Sequence, residues 1–138
     1  VVAGYSGTSL AKKLGVKDAQ RTWRYAMPVM VAEEIAQCGV SPTLFEAPAP
    51  GLEMAHLFVT RRQELAKMLA ELRVLLASDG MIWVSWPKKA AKIPTEVSED
   101  IVRAEALPLG LVDIKVCAVD ETWSGLKLVV RRSERSQK

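Results

Sequence analysis

Two apolar runs bracket one amphipathic stretch in the middle of this chain, and that arrangement restricts its fold more than any other feature. Residues 54–59 (MAHLFV) are almost continuously apolar, the mark of a strand covered on both faces. Thr60 and Gln63 fit a capping-box pattern that opens a helix. Leu65, Met68, Leu69, Leu72, Leu75 and Leu76 follow at helical spacing, so one face of that helix is expected to be buried. Asp79-Gly80 then reads as the helix stop, and 81–86 (MIWVSW) as the next buried strand. Strand, helix and strand in this order imply parallel pairing through a right-handed crossover.

The flanking sequence extends the same alternation. A short helix is expected near Ser9–Leu14, with Thr8 as N-cap and Gly15 as the stop. Arg21–Ala26 reads as a strand, and Pro28 introduces a helix over Val29–Cys38 that ends at Gly39. Thr43–Glu46 is a short strand, followed by the breaker run PAPG at 48–51. The link 47–53 is short for a parallel crossover, so either this strand runs antiparallel or the fold is trimmed there. After Pro87 an irregular loop carries Lys88, Lys89 and Lys92. Ser98 or Thr95 then caps a helix over 99–107, whose acidic first turn suits the helix dipole. Residues 113–119 and 126–131 form an antiparallel hairpin around the turn 120–125 (DETWSG).

Length and composition set bounds on this plan. A chain of 138 residues with 49% hydrophobic content supports one core: a single α/β domain over 1–132 and a basic tail over 133–138. No apolar run approaches the roughly 20 residues that span a bilayer. Residues 1–9 (VVAGYSGTS) do not have the form of a signal peptide, so a cytoplasmic location is expected. Cys38 and Cys117 lie in different predicted elements and do not suggest a disulfide. With His56 as the one histidine, no zinc site is expected. The net charge of +3 is accounted for by the tail, where Arg131, Arg132, Arg135 and Lys138 face only Glu134, so the body reads as neutral.

Two resemblances follow. LLASDGMIWVS (75–85) and the order of elements over 54–131 resemble the later half of a class I methyltransferase, in which the last strand inserts antiparallel through a hairpin. AGYSGTSLAKKLG (3–15), VSWPKK (84–89) and ALPLGLVDIKVCAVDETWSGLKLVVRR (106–132) resemble a bacterial domain-of-unknown-function family of short proteins. Together they imply a three-layer Rossmann-like α/β fold. Its sheet is mostly parallel, ends in an antiparallel C-terminal hairpin, and is truncated relative to class I methyltransferases.

The methyltransferase resemblance implies a methyl donor, which needs a glycine-rich turn after the first strand so that backbone can approach it closely. Here that place reads AMPVMV (26–31), without a glycine. Glu46 ends the second strand, where an acid would hold the ribose hydroxyls, so half of such a site is present. No cofactor is expected.

In an open parallel sheet, ligands sit beyond the carboxyl ends of the strands. Those ends carry Thr60-Arg61-Arg62, Trp86-Pro87-Lys88-Lys89 and Asp120-Glu121-Thr122-Trp123. Lysine or arginine there can grip a phosphate or carboxylate. The competing account is structural: Thr60 caps a helix, Asp120 and Glu121 pair with Lys88 or Lys89, and Trp123 covers the sheet end against the 87–94 loop. His56 reads as a hydrogen-bonded core residue, Trp83 and Trp86 as packing on opposite faces, and Ser6 and Ser85 lack the glycine elbow of a serine nucleophile.

The sequence therefore points to a non-catalytic, degenerate methyltransferase-like domain. It is expected to bind a small anionic ligand or a protein partner through Thr60, Arg61, Lys88, Lys89, Asp120, Glu121, Trp123 and Glu46. The alternatives are an S-adenosylmethionine-dependent methyltransferase or other nucleotide-dependent enzyme, and weak nucleic-acid binding through Lys88, Lys89, Lys92 and the tail. The missing glycine turn argues against the first, and the neutral body against the second.

Overall fold

The structure, a computed structural model, describes residues 8–135. Ser6, Lys138 and the first residues of the 3–15 string lie outside the described residues. Among those described, six strands form one sheet: β1 (Arg21–Tyr25), β2 (Thr43–Phe45), β3 (Leu52–Phe58), β4 (Leu76–Pro87), β5 (Leu111–Ala118) and β6 (Trp123–Val130). The spatial order is β2-β1-β3-β4-β6-β5. The first four strands pair in parallel, and β6 runs antiparallel to both β4 and β5. This is the expected α/β architecture with its C-terminal hairpin.

Among the described residues, four α-helices cover the sheet: α1 (Leu10–Leu14), α2 (Val29–Ala36), α3 (Arg62–Leu75) and α4 (Glu99–Ala106). One core layer joins α3 and α4 to Ala55, Leu57, Ile82, Val84 and Leu126. The other joins α1 and α2 to Met54, Phe58, Trp83 and Val119. Strand alternation splits neighbouring residues between the layers, so Trp83 and Trp86 do pack on opposite faces. The Trp83 indole N–H finds the Leu14 carbonyl at 2.8 Å, which ties the last turn of α1 to the sheet.

The short link after β2 proves compatible with parallel pairing. β2 lies at the edge beside β1, in register Arg21↔Thr43 to Trp23↔Phe45, and β3 flanks β1 on its other side. With only three residues in β2, the six residues 46–51 need to climb down little more than one turn of strand and cross two strand spacings. Two spacings are roughly 10 Å, and six extended residues reach about 20 Å. No helix intervenes, and the fold is trimmed at that point.

Several local expectations change. Ser9, not Thr8, caps α1, accepting from the Lys12 N–H at 3.2 Å. The Thr60–Gln63 capping box does not form: Arg61 is the N-cap of α3 and makes no side-chain cap. Glu96 takes over that role from a distant loop, its carboxylate accepting from the Arg62 N–H at 2.9 Å. Helix α3 ends at Leu75, and Asp79-Gly80 lies inside β4 rather than stopping the helix. Pairing of Leu76 with Leu52 pulls the chain into the sheet early, and a Cβ on Gly80 would come within 2.8 Å of the Leu76 side chain. Ser98, not Thr95, caps α4. Helix α2 stops at Ala36, before Cys38. Trp123 belongs to β6 rather than to the turn. Beyond β6, Arg132–Glu134 forms a turn of 3-10 helix, and Glu134 reaches Arg73 at 3.9 Å.

Among the described residues no helix is long and apolar enough to cross a membrane.

Candidate functional site

Parallel topology places the ends of β1, β2, β3 and β4 on one edge, where the β5–β6 turn joins them. The order along that edge is Glu46, Ala26, Thr60-Arg61, Lys88-Lys89 and the turn 119–122. Lys88 and the turn meet through main chain: the Lys88 N–H donates to the Thr122 carbonyl at 2.8 Å. Asp120 is spent on its own turn, one carboxylate oxygen accepting from the Thr122 and Trp123 N–H groups, each at 2.8 Å. The clamp between acids and lysines therefore does not form. Among the described residues, neither Asp120 nor Glu121 makes an ion pair.

Trp123 also departs from expectation. Its ring packs edge-on against Phe58, with centroids 5.1 Å apart, in the layer under α1 and α2. The loop after Pro87 leads to the opposite face, because the side chains of Trp86 and Ser124 alternate away from Trp123. On that face a cavity of about 440 Å³ opens between Trp86, Lys88, Lys89, Ser98, Arg103 and Ser124. Glu99 and Asp100 also border it, but both carboxylates are held by Arg103, which reaches Asp113 at 2.8 Å as well. The Arg103 hydrogen bond holds the Asp113 carboxyl below the usual range, and the cluster is internally paired. Among the described residues, Lys88 and Lys89 are left without a carboxylate partner.

Thr60 is occupied structurally, its carbonyl accepting from the Glu96 N–H at 2.8 Å. Arg61 is exposed and borders a separate hollow of about 470 Å³ with Tyr25, Glu64, Lys67 and Met68. Glu46 is exposed at the far end of the edge, separated from β3 by β1. The structure thus brings the Lys88 main chain to the Asp120–Trp123 turn, while the Lys88 and Lys89 side chains border a cavity on the face opposite Trp123. Thr60 and Arg61 stand one strand away, and Glu46 stands apart.

The turn after β1 keeps one property of the missing glycine. Ala26 has φ +56°, a left-handed conformation that costs an L-residue roughly 1–2 kcal/mol. Met27 then packs into the core layer, and Pro28 starts α2 without a side-chain cap. Val29 and Met30 follow at 70% and 78% exposure, which places apolar surface where a polar ligand would approach.

Behind this edge lies a buried polar row that sequence reasoning reached only in part. His56 bonds Ser85 through Nε2 at 2.8 Å and stacks on Phe58. Burial, with the nearby Arg24 charge, pushes its pKa down to about 3, so the imidazole is neutral. One guanidinium nitrogen of Arg24 is buried without a hydrogen-bond partner among the described residues. The signal was the pairing of RTWRY with MAHLFV, which aligns Arg24 with His56 once β1 and β3 are parallel. Both dyad atoms are sealed, since His56 is 1% and Ser85 0% exposed, so the pair is core and not a nucleophile.

The pattern spanning β3 to β6 matches a family model over residues 57–132, more than half of the chain. This chain belongs to DUF3052, a family of proteins of unknown function. The 84–89 and 106–132 strings fall inside the match, and the 3–15 string falls outside it. No curated protein matches the chain. Among solved structures it is similar to an S-adenosylmethionine-dependent methyltransferase from Aquifex aeolicus, with TM-score 0.61, 16% identity and 88% of each chain covered. It is also similar to a putative methyltransferase from Thermoplasma acidophilum, with TM-score 0.59, 6% identity, and 96% of this chain and 77% of that one covered. A putative type 11 methyltransferase from Sulfolobus solfataricus gives TM-score 0.54 at 15% identity, covering 83% and 73%. At these identities the DUF3052 chain shares their fold, and nothing further follows from them.

Proposed function

We propose that this DUF3052 chain is a binding domain that takes a small anionic ligand at the carboxyl edge of its sheet and transfers no methyl group. The observation that supports this most directly is the cavity between β4, β6 and α4, where Lys88 and Lys89 face α4 while every bordering carboxylate is held by Arg103. Two ammonium groups without counter-charge at the first turn of a capped helix favour a phosphate or carboxylate. Arg61 is a further uncompensated cation one strand along. The alanine, methionine and proline after β1 leave no close backbone approach for a methyl donor.

The test is a thermal-shift and calorimetry screen of inorganic phosphate, AMP, ATP, S-adenosylmethionine and phosphorylated sugars. A ligand at a hundredfold its Kd adds roughly 2.7 kcal/mol of stability. Binding by a phosphorylated compound that is lost in the Lys88→Gln/Lys89→Gln double variant supports the reading. Equal binding by wild type and double variant overturns it.

A second reading, nucleotide-dependent methyl transfer, draws on the left-handed backbone that Ala26 retains in the turn after β1. It requires S-adenosylmethionine to bind at micromolar concentration. The binding-domain reading holds that affinity to millimolar or weaker, about −4 kcal/mol.

A further inference from the structure

All ion pairs among the described residues use arginine: Arg21 with Glu53, Arg62 with Glu105, Arg73 with Glu134, and Arg103 with Glu99, Asp100 and Asp113. The lysines are left over, and the fold gathers several of them on the face under α1. Lys127 of β6 stands directly across the ladder from Lys115 of β5. The Lys115 ammonium donates to the Lys13 carbonyl at 3.0 Å, which brings it to the end of α1 beside Lys13. Lys17 borders a hollow with Met81, whose ladder partner Val129 lies two residues from Lys127 on β6, and its charge, like that of Lys115, bears on Lys127. Partial burial and these two like charges push the Lys127 ammonium below its ordinary range.

A β-bulge creates the cluster. The register runs from Asp113↔Leu128 to Lys115↔Lys127, so Ile114 is an extra residue in β5. In a regular strand Asp113 and Lys115 would share a face, two residues apart, and the acid would screen the lysine. The bulge instead sends Asp113 to Arg103 on the α4 side and leaves Lys115 opposite Lys127 on the α1 side. Asp18 and Asp79, which border a hollow with Lys17, form no ion pair with it, and Asp18 is taken up by the Ser41 N–H. Like charges directly opposite in a ladder destabilise it. The end of α1 accounts for one donor of Lys115 but not for Lys127 or Lys17.

We propose that Lys17, Lys115 and Lys127 form a second anion site, separate from the carboxyl edge, for a compact multiply charged oxyanion of the phosphate class. Lys115 and Lys127 face each other across the β5–β6 ladder and Lys17 adds its charge from the loop after α1, a compact grouping, whereas an extended polyanion needs a longer track of charge. The site is independent of the edge reading, since Lys88 and Lys89 belong to another layer.

Inorganic tripolyphosphate serves as the probe, followed by calorimetry and thermal melts against sodium chloride of equal ionic strength. With the Lys88→Gln/Lys89→Gln double variant as background, so that the carboxyl edge does not contribute, the expected result is saturable binding that weakens at least tenfold on adding Lys127→Gln or Lys17→Gln. Lys17→Gln guards against a folding defect, because Lys17 is exposed. Without tripolyphosphate, Lys127→Gln is expected to melt no lower than wild type, because repulsion is relieved. No shift beyond the chloride control overturns the proposal. So does binding retained in both the Lys127→Gln and Lys17→Gln variants, or binding shown only by a long oligonucleotide.

Discussion

The imidazole Nε2 of His56 sits 2.8 Å from the Ser85 hydroxyl in the centre of the sheet, and neither residue reaches solvent. That contact makes the histidine a stability determinant with a defined pH range. Its folded pKa lies near 3 against an ordinary value of 6.5, because burial and the Arg24 charge oppose protonation. Between those values the unfolded chain binds a proton that the folded chain does not. The stabilisation is therefore complete above about pH 6.5 and is lost as pH falls toward 3, by up to about 5 kcal/mol. Urea melts from pH 7 to pH 5 should show this slope before most carboxylates titrate. His56→Gln, which can still bond Ser85, should flatten it. An unchanged slope in that variant would assign acid sensitivity to other groups.

Trp123 separates packing from binding. Its ring rests on Phe58 in the α1–α2 layer, turned away from the cavity that Lys88 and Lys89 line. Because the indole is only partly buried, Trp123→Ala should cost about 2–3 kcal/mol, at or below the low end for aromatic truncation. Anion affinity at the carboxyl edge should stay within a factor of two of wild type. A stable variant with lost affinity would place the indole in the ligand site instead.

Glu96 supplies the cap that the local sequence of α3 lacks. Its carboxylate receives the Arg62 N–H at 2.9 Å, and its own N–H donates to the Thr60 carbonyl at 2.8 Å. Glu96→Ala should lower stability by about 1 kcal/mol, whereas Glu96→Gln keeps the accepting oxygen and should lose less than half of that. Chemical denaturation of the two variants side by side decides it. Equal losses would mean that the charge at the helix terminus matters more than the hydrogen bond.

These three cases show where the sequence was readable. The apolar runs at 54–59 and 81–86 specified two central parallel strands, because burial on both faces leaves no polar alternation. His56 stood out as a core residue by its place in the first of these runs. Caps were harder: Thr60 and Gln63 have the right spacing, but a glutamate more than thirty residues away satisfies the helix instead. Thr8 yielded to Ser9 by one position. Parallel topology put the strand-end groups on one edge as expected, yet which charges meet there depended on hydrogen bonds within the 119–122 turn. The lysine cluster was not legible, although the hairpin that carries two of its members was. Lys17 is about a hundred residues from the hairpin that carries Lys115 and Lys127, and only the β5 bulge determines that the nearest acid faces the other way.

Ala26 carries the last prediction. With φ +56° at an exposed turn, its methyl group makes the left-handed backbone costly by roughly 1–2 kcal/mol. Glycine would remove that cost, while the greater freedom it gives the unfolded chain returns about 0.4–1 kcal/mol. Ala26→Gly should therefore stabilise the protein by about 0.5–1 kcal/mol, an unusual sign for a glycine substitution, readable as a raised urea midpoint with unchanged m-value. The same variant probes function. If the Cβ of Ala26 is what keeps a methyl donor from the turn, the glycine form should bind S-adenosylmethionine more tightly than wild type. If Met27, Pro28 and the exposed Val29 and Met30 close the turn as well, stability rises and affinity does not. The second outcome is expected, because removing one methyl leaves the proline and both apolar side chains in place. Micromolar binding by the glycine variant would instead mean that a single alanine separates this chain from a working cofactor site.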